Sequence, residues 1–288
     1  MKLGVCNTLL CVVTFNSSLI REAQYCVEKL WCNSIMQKYM SIKHKISKAM
    51  RGFFSPNILS LIIGFRLFLR PRRISYSQKG EDLIIRSYFR ESAISRRGLK
   101  IGTYLDIGSW HPNCISNTAL LHKSGWSGYA IDIDMYKLKF MKAVRREKVN
   151  IIHAAVTPST SGYAEVYRFG TPGDWSDIDT LDKGAADFAV ENWGTGSYQI
   201  DRINTIGINE LLSQLPYINV LNIDIEGLDG PVIEALDIDR FPIDFILYED
   251  NTGRNFDAVY KKLSNNGYKL LLNCGGAVAF GRIAPSYV

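Results

Sequence analysis

Apolar positions along this chain fall into short blocks whose spacing switches between periods of two and about 3.6 residues, the signatures of strands and helices. Glu81 to Arg90 carries helical spacing, and Thr103 to Ile107 is a short apolar run that ends on Gly108. Asn117 to Ser124 and Tyr136 to Arg146 predict two more helices, with Gly128 to Asp132 and Val149 to Val156 as strands around them. Further on, Ile208 to Leu215, Pro231 to Leu236 and Asp257 to Asn265 predict helices, and Ile218 to Ile225 and Phe245 to Tyr248 predict apolar strands. Tyr268 to Leu272 and Ala277 to Phe280 predict a closing antiparallel hairpin around Gly275-Gly276. Alternating strands and helices predict an α/β domain with a mostly parallel, doubly wound sheet. Gly162 to about Gln199 is rich in Gly and Asp, contains Trp175 and Trp193, and has no strong period. It predicts an insertion or a substrate-facing excursion.

Before this alternation, residues 1–74 have a different character, and Pro71 marks the boundary. Between Lys29 and Gly80 there are eleven Lys or Arg and no Asp or Glu, whereas residues 1–28 balance to zero. Since the whole chain carries +6, the body from Glu81 onward is mildly acidic. The extension is therefore expected to be a basic, helical arm. Its apolar stretch Ile58 to Leu69, interrupted by Arg66, is too short to span a bilayer. It fits an interfacial helix or a helix packed on the body. Peripheral contact with anionic lipid is thus open, and no nucleic-acid partner is expected. The first fifteen residues resemble a weak signal-peptide core without a small-residue cleavage site. Of the six cysteines four lie in the first 32 residues, and none forms a C-x-x-C pair, so reduced structural thiols in a cytoplasmic chain are expected.

Candidate chemistry gathers at the ends of the predicted strands. The first ends Asp106-Ile107-Gly108-Ser109, where open α/β sheets bind ligands and a glycine permits close approach to the backbone. The glycine-rich dinucleotide fingerprint is absent, because Trp110, His111, Pro112 and Asn113 follow. The second strand ends Asp132-Ile133-Asp134, and Asp132 lies at a spacing suited to gripping a ribose diol. The fourth ends Asn222-Ile223-Asp224-Ile225-Glu226-Gly227-Leu228-Asp229, and period-two alternation would put Asn222, Asp224 and Glu226 on one face. The fifth brings Glu249, Asp250 and Asn251 to the same edge. Crowded carboxylates raise one another's pKa, bind a divalent cation, or hold sugar hydroxyls. Asp229 and Asp250 fit helix capping and loop solvation, leaving Asp224, Glu226 and Glu249 as candidate catalytic groups. His153, within the third strand, is a further candidate base, though a lone strand histidine is more often structural.

The segments Ser77-Gln78-Lys79-Gly80-Glu81-Asp82, Leu105-Asp106-Ile107-Gly108, Ser116-Asn117-Thr118, Gly125-Trp126-Ser127-Gly128, Ile131-Asp132, Ile223-Asp224-Ile225-Glu226-Gly227-Leu228-Asp229 and Glu249 resemble, in this order, the FkbM family of methyltransferases. The resemblance covers about residues 75–251. It implies a Rossmann-like class I methyltransferase fold, S-adenosylmethionine as methyl donor, and O-methylation, often of sugar or polyketide-like hydroxyls. Two departures stand out: the family's second strand commonly ends Glu-Pro where this chain has Asp132-Ile133, and residues 162–199 carry none of its motifs.

Residues and resemblance together give a catalytic domain over 75–288. Gln78, Asp106, Gly108, Ser109, Asn117, Asp132 and Ile133 are the expected cofactor contacts. The backbone around Gly108 and Ser109 is expected to cradle the methionine portion, and the following helix to offer free N–H groups. A small-molecule or glycan acceptor is expected, with a divalent metal as an open second component. The competing readings are an NAD-dependent sugar oxidoreductase and a membrane-surface binding protein on a degenerate methyltransferase scaffold.

Overall fold

The computed structural model describes residues 75–91, 101–170, 176, 178–193, 195–251 and 253–283. The N-terminal extension expected over residues 1–74 lies outside the described residues. Among the described residues no helix is long and apolar enough to cross a membrane.

Helix α1 (Glu81–Glu91) is started by its own preceding segment. The Asp82 carboxylate accepts from the Tyr76 N–H at 2.7 Å and from the hydroxyls of Ser75 and Ser77 at 2.6 and 2.8 Å. Ser77 Oγ in turn accepts from the Gly80 N–H at 3.0 Å, and Glu81 accepts from the Lys79 N–H at 2.8 Å. Acidic side chains in a first turn also favour the positive end of the helix dipole.

The chain then builds β1 (Thr103–Ile107), α2 (Ala119–Lys123), β2 (Ser127–Asp132), α3 (Met135–Arg145) and β3 (Val149–His153). After β4 (Ala155–Thr157) come β5 (Tyr163–Phe169), α4 (Lys183–Trp193) and β6 (Tyr198–Gly207). The second half comprises α5 (Ile208–Ser213), β7 (Val220–Ile223), α6 (Asp229–Ala235), β8 (Phe245–Glu249), α7 (Phe256–Asn265), β9 (Tyr268–Cys274) and β10 (Ala277–Arg282). Seven strands form one sheet in the order β3-β2-β1-β7-β8-β10-β9. β1 pairs in parallel with both β2 and β7, and β10 runs antiparallel to β8 and β9. This is the expected fold, including the hairpin at Gly275-Gly276. The order reverses beside β1, which opens a crevice at the carboxyl ends of β1, β2 and β7.

Alternation along β1 shows how both faces are filled. Leu105 and Ile107 join Leu221, Ile223, Ile246, Val232 and Val259 in the larger cluster under α6 and α7. Tyr104 points the other way, to Ile85, Phe89, Leu121, Trp126 and Val220. A sheet buried on both sides needs such near-continuous apolar runs. Each fully buried aliphatic side chain contributes about 1.5–3 kcal/mol.

One expectation needs correction. The predicted strand Val149 to Val156 is two strands: the chain leaves the large sheet at Ala154, and β4 joins β6 in a second, three-stranded sheet of order β4-β6-β5. The segment from Gly162 to Gln199, expected as an insertion or a substrate-facing excursion, is an insertion with regular structure. It supplies β5, α4 and the start of β6, and β5 and β6 pair antiparallel from Tyr163↔Asn204 to Phe169↔Tyr198. Tyr167 and Phe169 bury one side of this ribbon against Ala186 and Ala189 of α4. Tyr163 and Ile200 remain exposed, so the two-residue period is broken where one face meets solvent.

Candidate functional site

A cavity of about 260 Å³ opens at the crevice beside β1. Gln78, Asp106, Gly108, Asn117, Asp132 and Ile133 line it, as do Asp224, Glu226 and Glu249. All the candidate residues therefore meet there except His153 and Ser109, the latter buried. Its hydroxyl donates to the Asp106 carbonyl at 2.8 Å, inside the turn.

The glycine turn departs from expectation in its use of backbone. The N–H groups of Gly108 and Ser109 both donate to the Ile131 carbonyl, at 2.9 and 3.0 Å. They hold β1 to β2 and leave no anion-binding nest. No helix follows directly either; residues 109–118 form a loop, and α2 has five residues. Gly108 has φ +82, and a Cβ there would sit 1.7 Å from the Asp224 carbonyl oxygen. The glycine is thus required by the β7 loop behind it, whichever ligand fills the cavity.

At the β2 tip, Asp132 is buried and its carboxylate accepts the Asp134 N–H at 2.7 Å. Burial pushes its pKa up to about 6, opposed by the positive charge of Lys137, whose Nζ lies 3.8 Å away. Asp134 caps α3 by accepting the Tyr136 N–H at 2.7 Å.

β7 ends at Ile223, so strand alternation does not carry Asp224 and Glu226 to one face. A loop does. Asp229, the first residue of α6, accepts from the N–H groups of Ile225 and Gly227, both at 3.3 Å. Glu226 adopts φ 54, a left-handed conformation costing about 1–3 kcal/mol for a non-glycine residue. Its carbonyl is held by the Thr180 hydroxyl at 2.9 Å. The outcome is that one carboxylate oxygen each from Asp224, Glu226 and Glu249 lies within 4.8 Å of the others. Burial first, then the charge of Glu249, raises the Asp224 carboxyl well above the usual range. Asp229 is pushed up to about 7, mainly by burial.

Asp106 is structural in its bonding although it lines the cavity. Its carboxylate accepts from Asn222 Nδ2 at 2.9 Å and from the Thr118 hydroxyl. Asn222 Oδ1 accepts from Asn117 Nδ2 at 2.9 Å, which turns Asn117 toward the cavity wall. Behind this chain lies Arg145, fully buried. Its guanidinium donates to Tyr104 Oη, Thr118 Oγ1, Ser116 Oγ and the Pro112 carbonyl at 2.9–3.0 Å, and lies 3.9 Å from Asp106. The Ser116-Asn117-Thr118 motif is therefore two arginine acceptors flanking Asn117, with Ser116 and Asn117 both lining the cavity.

The sequence reading missed several lining groups. Trp110, His111, Ile115 and Lys137 contribute, and so does the segment Ile178-Asp179-Thr180-Leu181 from the region that had no assigned motif. His111 Nδ1 accepts from the N–H groups of Asn113 and Cys114, at 3.0 and 2.9 Å. Arg168 on β5 bonds the Ile133 carbonyl at 2.7 Å and pairs with Asp179, tying the small sheet to the β2 tip. One signal was readable for Arg145: Leu138, Met141 and Arg145 share a helical stripe, and a charge on an apolar stripe asks for a buried partner. His153 does not reach the cavity. It is exposed, with Nε2 at 3.1 Å from the Ile133 carbonyl, which removes the geometric basis for a base role.

Comparisons with known proteins fall on this same region. No curated protein sequence matches the chain. Among solved structures, it is similar to a precorrin-6y C5,15-methyltransferase from Geobacter metallireducens, at 14% identity over 74% of this chain and 92% of that one, with a TM-score of 0.37. A TehB-like SAM-dependent methyltransferase from Corynebacterium glutamicum is similar at 11% identity over 79% and 100%, with a TM-score of 0.37. The family model of the Methyltransferase FkbM domain matches residues 102–270, a span that runs from β1 into β9 and includes most of the cavity wall. With more than half of its length in that match, the chain belongs to the FkbM methyltransferase domain family.

Proposed function

We propose that the chain is an S-adenosylmethionine-dependent O-methyltransferase whose acceptor is a hydroxyl of a sugar, a glycan or a related metabolite. The observation that carries this reading is that a buried ribose-type acceptor, Asp132, and a high-pKa carboxylate, Asp224, line one cavity.

The residues present fit the cofactor by their donor and acceptor chemistry. A nucleoside offers two vicinal hydroxyls, and Asp132 offers an acceptor at the β2 tip. Ile131, Ile133, Val156 and Ile178 give the cavity apolar wall suited to a base. The N–H groups of the glycine turn are spent on Ile131, so the phosphate grip that an NAD-dependent enzyme needs is missing. Gln78 and Asn117 extend the polar wall toward the methionine end and the acceptor. When bound, S-adenosylmethionine supplies a methyl group on a positively charged sulfur, open to displacement by an oxygen nucleophile.

An alcohol is a weak nucleophile, and a carboxylate with a raised pKa can take its proton. That Asp224 lines the cavity with a raised pKa supports this role for it; burial and the charges of Glu249 and Glu226 keep its proton affinity high. Three clustered carboxylates also suit a shared proton or a divalent cation. Trp110, Ile115 and Ile225 add apolar surface to the cavity wall, which would help desolvate the reacting end.

Two assays test this. S-adenosylhomocysteine is expected to raise the melting temperature of the full chain by mass action, and NAD to leave it unchanged. Radiolabelled methyl transfer into neutral glycans, run with and without chelator, then reads acceptor class and cation need together. An NAD-dependent shift with no response to S-adenosylhomocysteine overturns the reading.

A further inference from the structure

Lys137 is a buried charged lining residue to which the site as described gives no role. Its side chain is 6% exposed, yet among the described residues it makes no hydrogen bond. Among the described residues its ion-pair partner is Asp132, with Oδ1 at 3.8 Å, beyond hydrogen-bond length. An ammonium carries three donors, and burying them without acceptors is costly. A lysine needed only to neutralise Asp132 would close to a direct hydrogen bond, as buried pairs require. Instead the two groups stand apart at the cavity wall, one able only to donate and the other only to accept.

We propose that Lys137 is a cofactor-binding residue that forms a ribose clamp with Asp132: the carboxylate accepts from the diol, and the ammonium donates to an oxygen of the same diol. The inference rests on the nucleoside reading of the cavity. It explains a charged residue on the buried side of α3, and it explains how a short Asp serves at a strand end where the family commonly has Glu-Pro. The clamp also sets the acid range of the site. Lys137, Asp134 and Asp179 face Asp132, while His153 on the paired strand turns its ring to the Ile133 carbonyl. Only Lys137 among them favours the ionised carboxylate by its charge. Its removal therefore moves the loss of nucleoside affinity to a higher pH than about 6.

The test is calorimetry on the full chain with 5′-methylthioadenosine and its 2′-deoxy and 3′-deoxy counterparts. In the wild type each deleted hydroxyl is expected to weaken binding. In Lys137→Met, affinity for the parent nucleoside is expected to fall about ten-fold or more, and one of the two deletions is then expected to cost nothing further. Lys137→Gln, which keeps a donor, is expected to fall between them and serves if Lys137→Met fails to fold. Unchanged affinity, or full deletion penalties in a folded variant, overturns the clamp. Failure of the wild type to bind any of the three nucleosides instead overturns the nucleoside reading itself.

Discussion

The two sides of the cavity treat negative charge in opposite ways. On the β1/β2 side each carboxylate has a cation: Asp106 lies 3.9 Å from Arg145, and Asp132 lies 3.8 Å from Lys137. On the β7/β8 side, Asp224 and Glu249 have no basic group within ion-pair distance among the described residues, and Glu226 adds a third acid. Paired, hydrogen-bonded charge makes a rigid wall that suits holding a neutral nucleoside. Crowded like charge is costly to the fold and sensitive to protons, which suits chemistry. The contrast teaches that carboxylates at neighbouring strand tips take different roles according to what stands behind them.

The largest effect is expected from breaking the paired side at its base. Arg145→Met leaves Asp106 buried without its cation and should destabilise the domain by about 3–5 kcal/mol, measured by urea unfolding. A loss below about 1 kcal/mol would show that the network is held by Thr118 and Asn222 alone. Next is the crowded acidic side. Asp224→Asn should cut turnover by about 10²–10⁴ while leaving the affinity for S-adenosylhomocysteine within about two-fold. Since the Asp224 pKa is raised, the wild-type rate should climb with pH as the carboxyl ionises, and the variant should lose that climb. Equal turnover removes Asp224 from the base role.

Smaller effects sharpen the contrast. Asp132→Ala should weaken S-adenosylhomocysteine binding by about 1–3 kcal/mol at pH 8. In the wild type the same affinity should fall as pH drops through about 6, because Asp132 then protonates; a flat profile would detach the carboxylate from the ligand. Smallest is His153→Ala, at the exposed edge of the paired side, which should change stability by less than about 0.5 kcal/mol and turnover not at all.

Most of the large sheet was legible in the sequence because its strands are buried on both faces and therefore read as continuous apolar runs. β1 carries the expected bounds, and β2, α3 and β8 begin or end within one residue of theirs. The small sheet was not legible, because β5 and β6 bury only parts of each face, Val166 on one and Tyr167 and Phe169 on the other, and interrupt the period with exposed Tyr163 and Ile200. The acids at the strand tips could be found by spacing alone, and they do meet. Their pairings could not: the stripe on α3 marks Arg145 as wanting a buried partner, but which acid Arg145 or Lys137 meets depends on a helix register against the sheet that is a tertiary fact. Neither could the bonding of Gly108 and Ser109, since a motif shows which residues stand at a turn and not where their N–H groups point.

The contact between Gly108 and the Asp224 carbonyl has a consequence for how such a protein can diverge. With no side chain between them, the turn at β1 and the loop after β7 form one mechanical piece, and neither can drift in backbone position without displacing the other. Change in the cavity's shape is therefore expected at side chains of its wall that this contact does not involve, such as Trp110, Ile115 and Ile178, while the floor stays fixed.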